Sequence, residues 1–284
     1  MKKNIAIVAG GDSSEYVISL KSADQIAKWI DNEKYSVFTI LAKGTEWVVK
    51  SDQFCDLVIN KDDFSFTYNN QKTTFDCALI TIHGTPGEDG KMQGYFDTLK
   101  IPYTTSNVLA SAITFNKVFS KNYLKAFNIP LAKFITLKKG DVVDADKIIE
   151  VTGLPCFVKP NCGGSSFGVT KVKEKEKILE AIEFAYKEDN EVIIEEFLPG
   201  TELTCGLMKT NDKTIIFPVT EIVSKNEFFD YEAKYTDGLT DEITPARISP
   251  ELTQNVQQLS SQIYDIFQLN GIVRIDYIIS NNKP

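Results

Sequence analysis

The sequence predicts an α/β or mixed α+β protein, and three observations carry that prediction. Short apolar runs alternate with stretches of helical periodicity through most of the chain. A buried strand over 5–8 runs into the glycine turn Gly10-Gly11-Asp12-Ser13-Ser14 and then a helix, the order found in open parallel sheets. The chain is 284 residues long, 43% hydrophobic and 25% charged, which is ample for two or three separate cores.

The helix after the glycine turn sets Val17, Leu20, Ala23, Ala27 and Ile30 on one stripe. Buried strands follow over 37–41 and 77–82. Pro102 and the polar run Thr104-Thr105-Ser106-Asn107 close this first unit. A single helix is predicted over 110–127, ended by Asn128-Ile129-Pro130. Strands are then expected over 134–137, 156–159 and 169–172, with a helix burying Ile178, Ile182 and Ala185. The strand over 191–197 opens the last part. It is followed by the clearest helix, with Leu252, Val256, Leu259, Ile263 and Phe267 in register. A strand over 272–279 ends in Ser280-Asn281-Asn282-Lys283-Pro284, which reads as a hairpin turn awaiting a returning strand.

Composition narrows the function. A net charge of −8 argues against a nucleic-acid groove as the main surface but permits a local basic site. No run approaches the roughly 20 apolar residues of a membrane span, and the apolar start breaks at Gly10-Gly11-Asp12, too early for a signal peptide. Cys55, Cys77, Cys156, Cys162 and Cys205 are scattered without a Cys-x-x-Cys pair, which suits reduced thiols in the cytoplasm.

Five segments carry chemistry. In Lys159-Pro160-Asn161-Cys162-Gly163-Gly164-Ser165-Ser166-Phe167-Gly168-Val169 a strand ends in lysine and enters a Gly/Ser loop. Its N–H groups, hydroxyls and ammonium suit anionic oxygens, and a plain flexible hairpin loop is the alternative. In Glu195-Glu196-Phe197-Leu198, with Glu202 beyond, a carboxylate and an aromatic share a strand face and could receive an adenine and a ribose, or simply be solvated. The aromatic, polar segment 229–238 reads as a long ordered loop, either a lid or a surface excursion. Arg274 and Asp276 project from one strand face, as an ion pair or as a guanidinium beside a Mg²⁺ ligand. The lone histidine, His83, begins His83-Gly84-Thr85-Pro86-Gly87-Glu88-Asp89-Gly90 at a strand end, placed for a substrate contact or a turn.

Together these segments resemble the D-alanine–D-alanine ligases. Gly10-Gly11-x-Ser13-Ser14-Glu15-x-x-Ile18-Ser19-Leu20 is similar to their amino-terminal signature, and His83-Gly84 with Gly87-Glu88-Asp89-Gly90 to a second one. Lys159-Pro160 with Gly164-Ser165-Ser166-x-Gly168, Asp230-Tyr231-Glu232-Ala233-Lys234-Tyr235, and Arg274-x-Asp276 then follow in the family's order. The resemblance implies an amino-terminal open parallel-sheet domain, expected over 1–105, followed by an ATP-grasp pair of α+β domains over 106–195 and 196–284. It implies ATP-dependent joining of two D-alanines through an acyl phosphate for peptidoglycan synthesis, in a cytoplasmic homodimer, with no nucleic-acid or membrane partner.

The resemblance also implies roles. Lys117, Lys159 and Lys234 would meet phosphate oxygens, and Glu195, Phe197, Leu198 and Glu202 would hold adenine and ribose. Glu15 would bind the ammonium of the first D-alanine, linked to Ser165 and Tyr235, with His83 beside that substrate. Arg274 would stabilise the oxyanion, and Asp276 would bind Mg²⁺, or Mn²⁺ in its place. Tyr235 points to dipeptide rather than D-alanyl-D-lactate formation. Two departures stand out. Glu196 occupies a position where the family commonly has lysine, so the adenine contact there would fall to the backbone. The family's Glu-x-Asn strand after Arg-x-Asp, with its oxyanion-site glycine, is not in this sequence, so little turnover is expected of a chain ending at Pro284. Alternative readings are an ATP-grasp ligase for another carboxylate and amine, or a nucleotide-binding module without catalysis.

Overall fold

In the computed structural model the chain divides into two units, Met1–Ala112 and Ile113–Pro284, and residues 2–50, 57–164, 166–224, 240–281 and 283–284 are described. The first unit contains β1 (Lys3–Gly10), α1 (Tyr16–Trp29), β2 (Tyr35–Lys43), β3 (Glu46–Lys50), β4 (Leu57–Val58), β5 (Phe66–Tyr68), β6 (Gln71–Thr73), β7 (Cys77–Ile80) and α2 (Lys91–Leu99). Its sheet runs β4-β3-β2-β1-β7, and β1 is parallel to both β2 and β7. The two-residue alternation of a strand lets β1 feed two cores at once. Ile7 and Ala9 pack with Ala23 of α1, while Ala6 and Val8 join Phe64, Phe66, Phe75, Met92 and Phe96 on the other face. Phe64 lies at 4.9 Å from Phe96 and 5.1 Å from Phe75, centroid to centroid. This double burial leaves the carboxyl ends of β1 and β7 as a rigid corner.

The helix expected over 110–127 is two helices, α3 (Val108–Phe115) and α4 (Lys117–Lys125). The apolar spacing runs through Asn116, but a tertiary contact overrides it. Asn116 is extended, caps α4 by accepting from Phe119 N at 2.9 Å, and forms a backbone bridge with Cys162. Such a cap contributes about 1 kcal/mol. More important here, the break directs the start of α4 at the Gly/Ser loop.

The second unit continues with β8 (Phe134–Lys138), α5 (Ala145–Thr152), β9 (Cys156–Pro160), β10 (Thr170–Val172), α6 (Ile178–Ala185) and β11 (Glu191–Glu196). These strands form an antiparallel sheet, order β10-β9-β11-β8. One face, with Val158, Val192 and Ile194, is buried under Ile148 of α5 and Ile178, Ala181 and Ile182 of α6. Alternation therefore sends Phe134, Phe157, Lys159 and Glu195 to the opposite face.

The last elements are β12 (Thr201–Lys209), β13 (Thr214–Ile216), β14 (Thr220–Ser224), β15 (Thr240–Ile243), α7 (Pro250–Ile266) and β16 (Ile272–Ile279). β12 pairs antiparallel with β16 along one edge and with β13 and β14 along the other. α7 starts where Ser249 accepts from Leu252 N at 3.2 Å, just before Pro250, a strong start signal. It packs on β12 and β16, where Ser260 Oγ and Tyr277 OH meet at 2.8 Å in the buried layer. The terminal turn forms, with Ser280 and Lys283 exchanging both backbone hydrogen bonds at 2.9 and 3.0 Å.

Candidate active site

The corner of the first unit gathers Glu15 and His83. Gly11 turns the chain at φ +90° after β1, and a Cβ there would lie 2.5 Å from Ile82 Cγ2, so only glycine fits. Ser19 Oγ accepts from Gly10 N at 2.9 Å and donates to Thr81 O at 2.9 Å, tying β1, α1 and the end of β7 together. Ser13 Oγ donates to His83 O at 2.7 Å, and Ser22 Oγ meets His83 Nε2 at 3.3 Å. Gly84, at φ +71°, has no room for a Cβ, which would sit 2.8 Å from Ser13 Oγ and 3.5 Å from Glu15 Oε2. Its N–H donates to Glu88 Oε2 at 2.9 Å. Burial raises the Glu88 pKa, and the nearby Glu15 carboxylate adds to that rise. Two carboxylates and an imidazole thus converge on one strand end, a setting for an ammonium or a small amino acid.

In the second unit the structure brings Lys117, Lys159 and Glu195 together around the loop 161–168. Asn161, 1% exposed, anchors the loop: its Nδ2 donates to Glu191 Oε2 at 2.7 Å and its Oδ1 accepts from Val118 N at 2.9 Å. Cys162 N donates to Asp189 Oδ2 at 2.7 Å. Lys117 Nζ donates to the Asn161 and Gly163 carbonyls at 3.2 and 2.9 Å. Burial, with Lys159 alongside, pushes its pKa down to about 8. Glu195 is 6% exposed. Lys159 donates to its Oε2, and Lys121 Nζ lies 2.6 Å from its Oε1. Burial works to raise the Glu195 pKa, but the two lysines overcome it and hold the carboxyl at about 2.

Glu195 therefore faces two ammonium groups. Phe197 lies tilted against Phe157, with centroids 6.0 Å apart, and Lys171 Nζ sits 3.9 Å over its ring. Leu198 follows, half-buried. Glu196 accepts from Lys133 N at 2.7 Å and is fixed to the sheet edge.

Arg274 and Asp276 share the face of their sheet that α7 does not cover. Arg274 donates from Nε to Asp276 Oδ1 at 2.9 Å and from Nη2 to Oδ2 at 3.2 Å. Register sets Thr204 opposite Asp276 and Glu202 opposite Ile278, so Glu202 shares this face and lines the same concavity of about 310 Å³. A carboxylate oxygen has lone pairs beyond those given to Arg274, so Asp276 fits as one hard ligand for Mg²⁺ alongside phosphate oxygens. Among the described residues no cluster of three or more His, Cys, Asp or Glu could hold a metal by itself. Ser165, Lys234 and Tyr235, with the loop 229–238, lie outside the described residues.

The chain matches two family profiles, "D-ala D-ala ligase N-terminus" over residues 4–106 and "D-ala D-ala ligase C-terminus" over residues 123–283. The chain belongs to the D-alanine–D-alanine ligase family. A D-alanine–D-alanine ligase of Bacteroides fragilis is 54% identical over 283 residues, 100% of this chain and 87% of that protein. Among solved structures, the VanG D-Ala:D-Ser ligase of Enterococcus faecalis superposes with a TM-score of 0.84 at 31% identity, covering 100% of this chain and 88% of that one. A Bacillus anthracis D-alanine–D-alanine ligase in complex with ATP gives a TM-score of 0.74 at 26% identity, covering 99% and 83%. The expectation of an α/β fold of the ATP-grasp kind is thus met. Sequence reading overlooked Lys121, which pairs with Glu195, and Asn161, which anchors the loop 161–168. A lysine one turn after another on a helix reads as solvated surface, and only the sheet register reveals its carboxylate.

Proposed function

We propose that this chain joins two D-alanines at the expense of ATP, giving D-alanyl-D-alanine for peptidoglycan synthesis. The observation that carries the proposal is that Lys117 sits on the Asn161 and Gly163 carbonyls of the loop 161–168, close enough to feel the charge of Lys159, which pairs with the buried Glu195. Two neighbouring ammonium groups would offer a seat for phosphate oxygens.

In this reading a carboxylate oxygen of the first D-alanine attacks the γ-phosphorus, and the bond to ADP breaks. The amine of the second D-alanine then attacks the acyl carbon, and phosphate leaves as the amine proton is lost. Phosphoryl transfer demands mostly positioning and charge compensation, which the lysines supply. Phe197, Leu198, Glu202 and the Glu195 edge would receive the adenine and ribose. Glu15 would hold the first ammonium, with His83 beside it. Arg274 would face the oxygen that gains charge, and Lys234, Tyr235 and Ser165 would complete the site. Asp276 would hold Mg²⁺, which would supply positive charge to offset that of the phosphate oxygens.

The cytoplasm is the proposed location, since ATP and reduced cysteines belong there; Cys77, Cys156, Cys162 and Cys205 are free thiols. No helix among the described residues is long and apolar enough to cross a membrane. A homodimer is the proposed assembly.

Phosphate release, with product identified by mass spectrometry, tests the reading across D-alanine, L-alanine, D-serine and D-lactate. D-alanyl-D-alanine with stoichiometric phosphate supports it. Turnover restricted to another pair would make the chain a different ATP-grasp ligase. ATP binding by calorimetry adds a second readout. Lys159→Ala should weaken ATP at least tenfold, the loss of one charge-assisted contact, and unchanged affinity would remove Lys159 from the phosphate site.

A further inference from the structure

Glu195 divides its carboxylate between two ammonium groups, and only one of them is needed to make the phosphate seat. Lys159 holds Oε2 from β9. Lys121 holds Oε1 at 2.6 Å from α4, one turn beyond Lys117. The Lys121 side chain is 18% exposed, and its Nζ lies 5.5 Å from the centre of the Phe134 ring, which Lys125 approaches at 4.3 Å. Register places Phe134 directly opposite Glu195, so the aromatic wall, the carboxylate and Lys121 form one packed group.

We infer that Lys121 is a positioning residue for the triphosphate: by holding Glu195, it releases Lys159 to bind phosphate. The inference rests on the nucleotide reading given above. A buried carboxylate stripped of its partner is costly. If Lys159 were the sole partner of Glu195, any move of its ammonium toward a phosphate would orphan that carboxylate, and the cost would be subtracted from ATP affinity. With Lys121 in place, Glu195 stays paired whichever way Lys159 turns. At Glu195 itself two ammonium groups face one carboxylate, so one of them can turn to a phosphate without leaving the carboxylate alone.

A lysine that merely tied α4 to the sheet would affect all ligands alike. Lys121 as a positioning residue must discriminate triphosphate from nucleoside. Calorimetry of ATP and of adenosine, on the full chain and its variants, reads that difference, with circular dichroism confirming the fold. Lys121→Met should weaken ATP by about tenfold while adenosine stays within about twofold, and Lys121→Arg should restore ATP binding. The double variant Lys121→Met with Glu195→Gln has no carboxylate to orphan and should bind ATP more tightly than Lys121→Met alone. Lys121→Gln, measured in parallel, gives the same discrimination should Lys121→Met fail to fold.

Equal losses for ATP and adenosine, or a double variant no better than the single one, overturn the inference. A wild-type chain that binds ATP with Lys121→Met unchanged overturns it alone. A wild-type chain that binds no ATP overturns the nucleotide reading and this inference together.

Discussion

Replacing Glu195 with glutamine should destabilise the second unit by about 3 kcal/mol at neutral pH, and two independent routes reach that figure. The carboxyl is held at about 2 against an ordinary value of 4.5, a difference that corresponds to about 3 kcal/mol. Removing one partner from a buried ion pair costs about 3–5 kcal/mol in general. Glu195 qualifies, because its side chain is 7% exposed between lysines that are 18% and 26% exposed. Because the folded pKa lies below the unfolded one, this stabilisation is complete above the ordinary value and is lost as pH falls through about 2. The gap between wild type and Glu195→Gln should therefore close across that acidic window. Urea unfolding followed by circular dichroism reads the loss, and the tryptophans, Trp29 and Trp47, both in the first unit, report on that unit by fluorescence. A loss below about 1 kcal/mol, the range of a surface pair, or one that persists unchanged at pH 2, would refute the reasoning.

Other predictions follow from the same geometry. Lys117 is held at about 8, and a bound phosphate favours its charged form. ATP affinity should therefore fall roughly tenfold as pH rises from about 7 to 9, while Lys117→Arg gives a flat profile; a flat wild-type profile by calorimetry would remove Lys117 from the phosphate seat. Glu15→Gln should weaken D-alanine by about tenfold or more with ATP within about twofold, and equal losses in the two titrations would make Glu15 structural. Gly84→Ala forces a Cβ to within 2.8 Å of Ser13 at φ +71°. It should cost about 1–3 kcal/mol in the tryptophan-reported transition, whereas an unshifted midpoint would show that the corner yields.

What the sequence reveals follows how local each signal is. Glu15 stood out only through the family resemblance, whereas the strand, glycine turn and helix at 5–30 are adjacent in the chain, so the parallel unit is readable from residue types alone. The Lys159 loop is readable for the same reason. The break at Asn116 is not, because the apolar spacing of a helix continues through it and the competing partner, Cys162, is 46 residues away. Lys121 was hidden likewise, since nothing near it in sequence announces a buried carboxylate on β11. Strands β12 to β15 gave weak patterns because one face of their sheet is open and polar. Their alternation sets Glu202, Thr204 and Gly206 of β12 on that face, where apolar residues would have marked a strand.

The acyl phosphate is the claim on which the whole account turns, and the fate of a heavy-oxygen label tests it most directly. D-alanine labelled with heavy oxygen in its carboxylate is supplied with ATP, and the released phosphate is weighed by mass spectrometry. Formation and aminolysis of an acyl phosphate must carry one labelled oxygen from substrate to phosphate, together with D-alanyl-D-alanine in equal amount. Dipeptide accompanied by unlabelled phosphate would contradict the account.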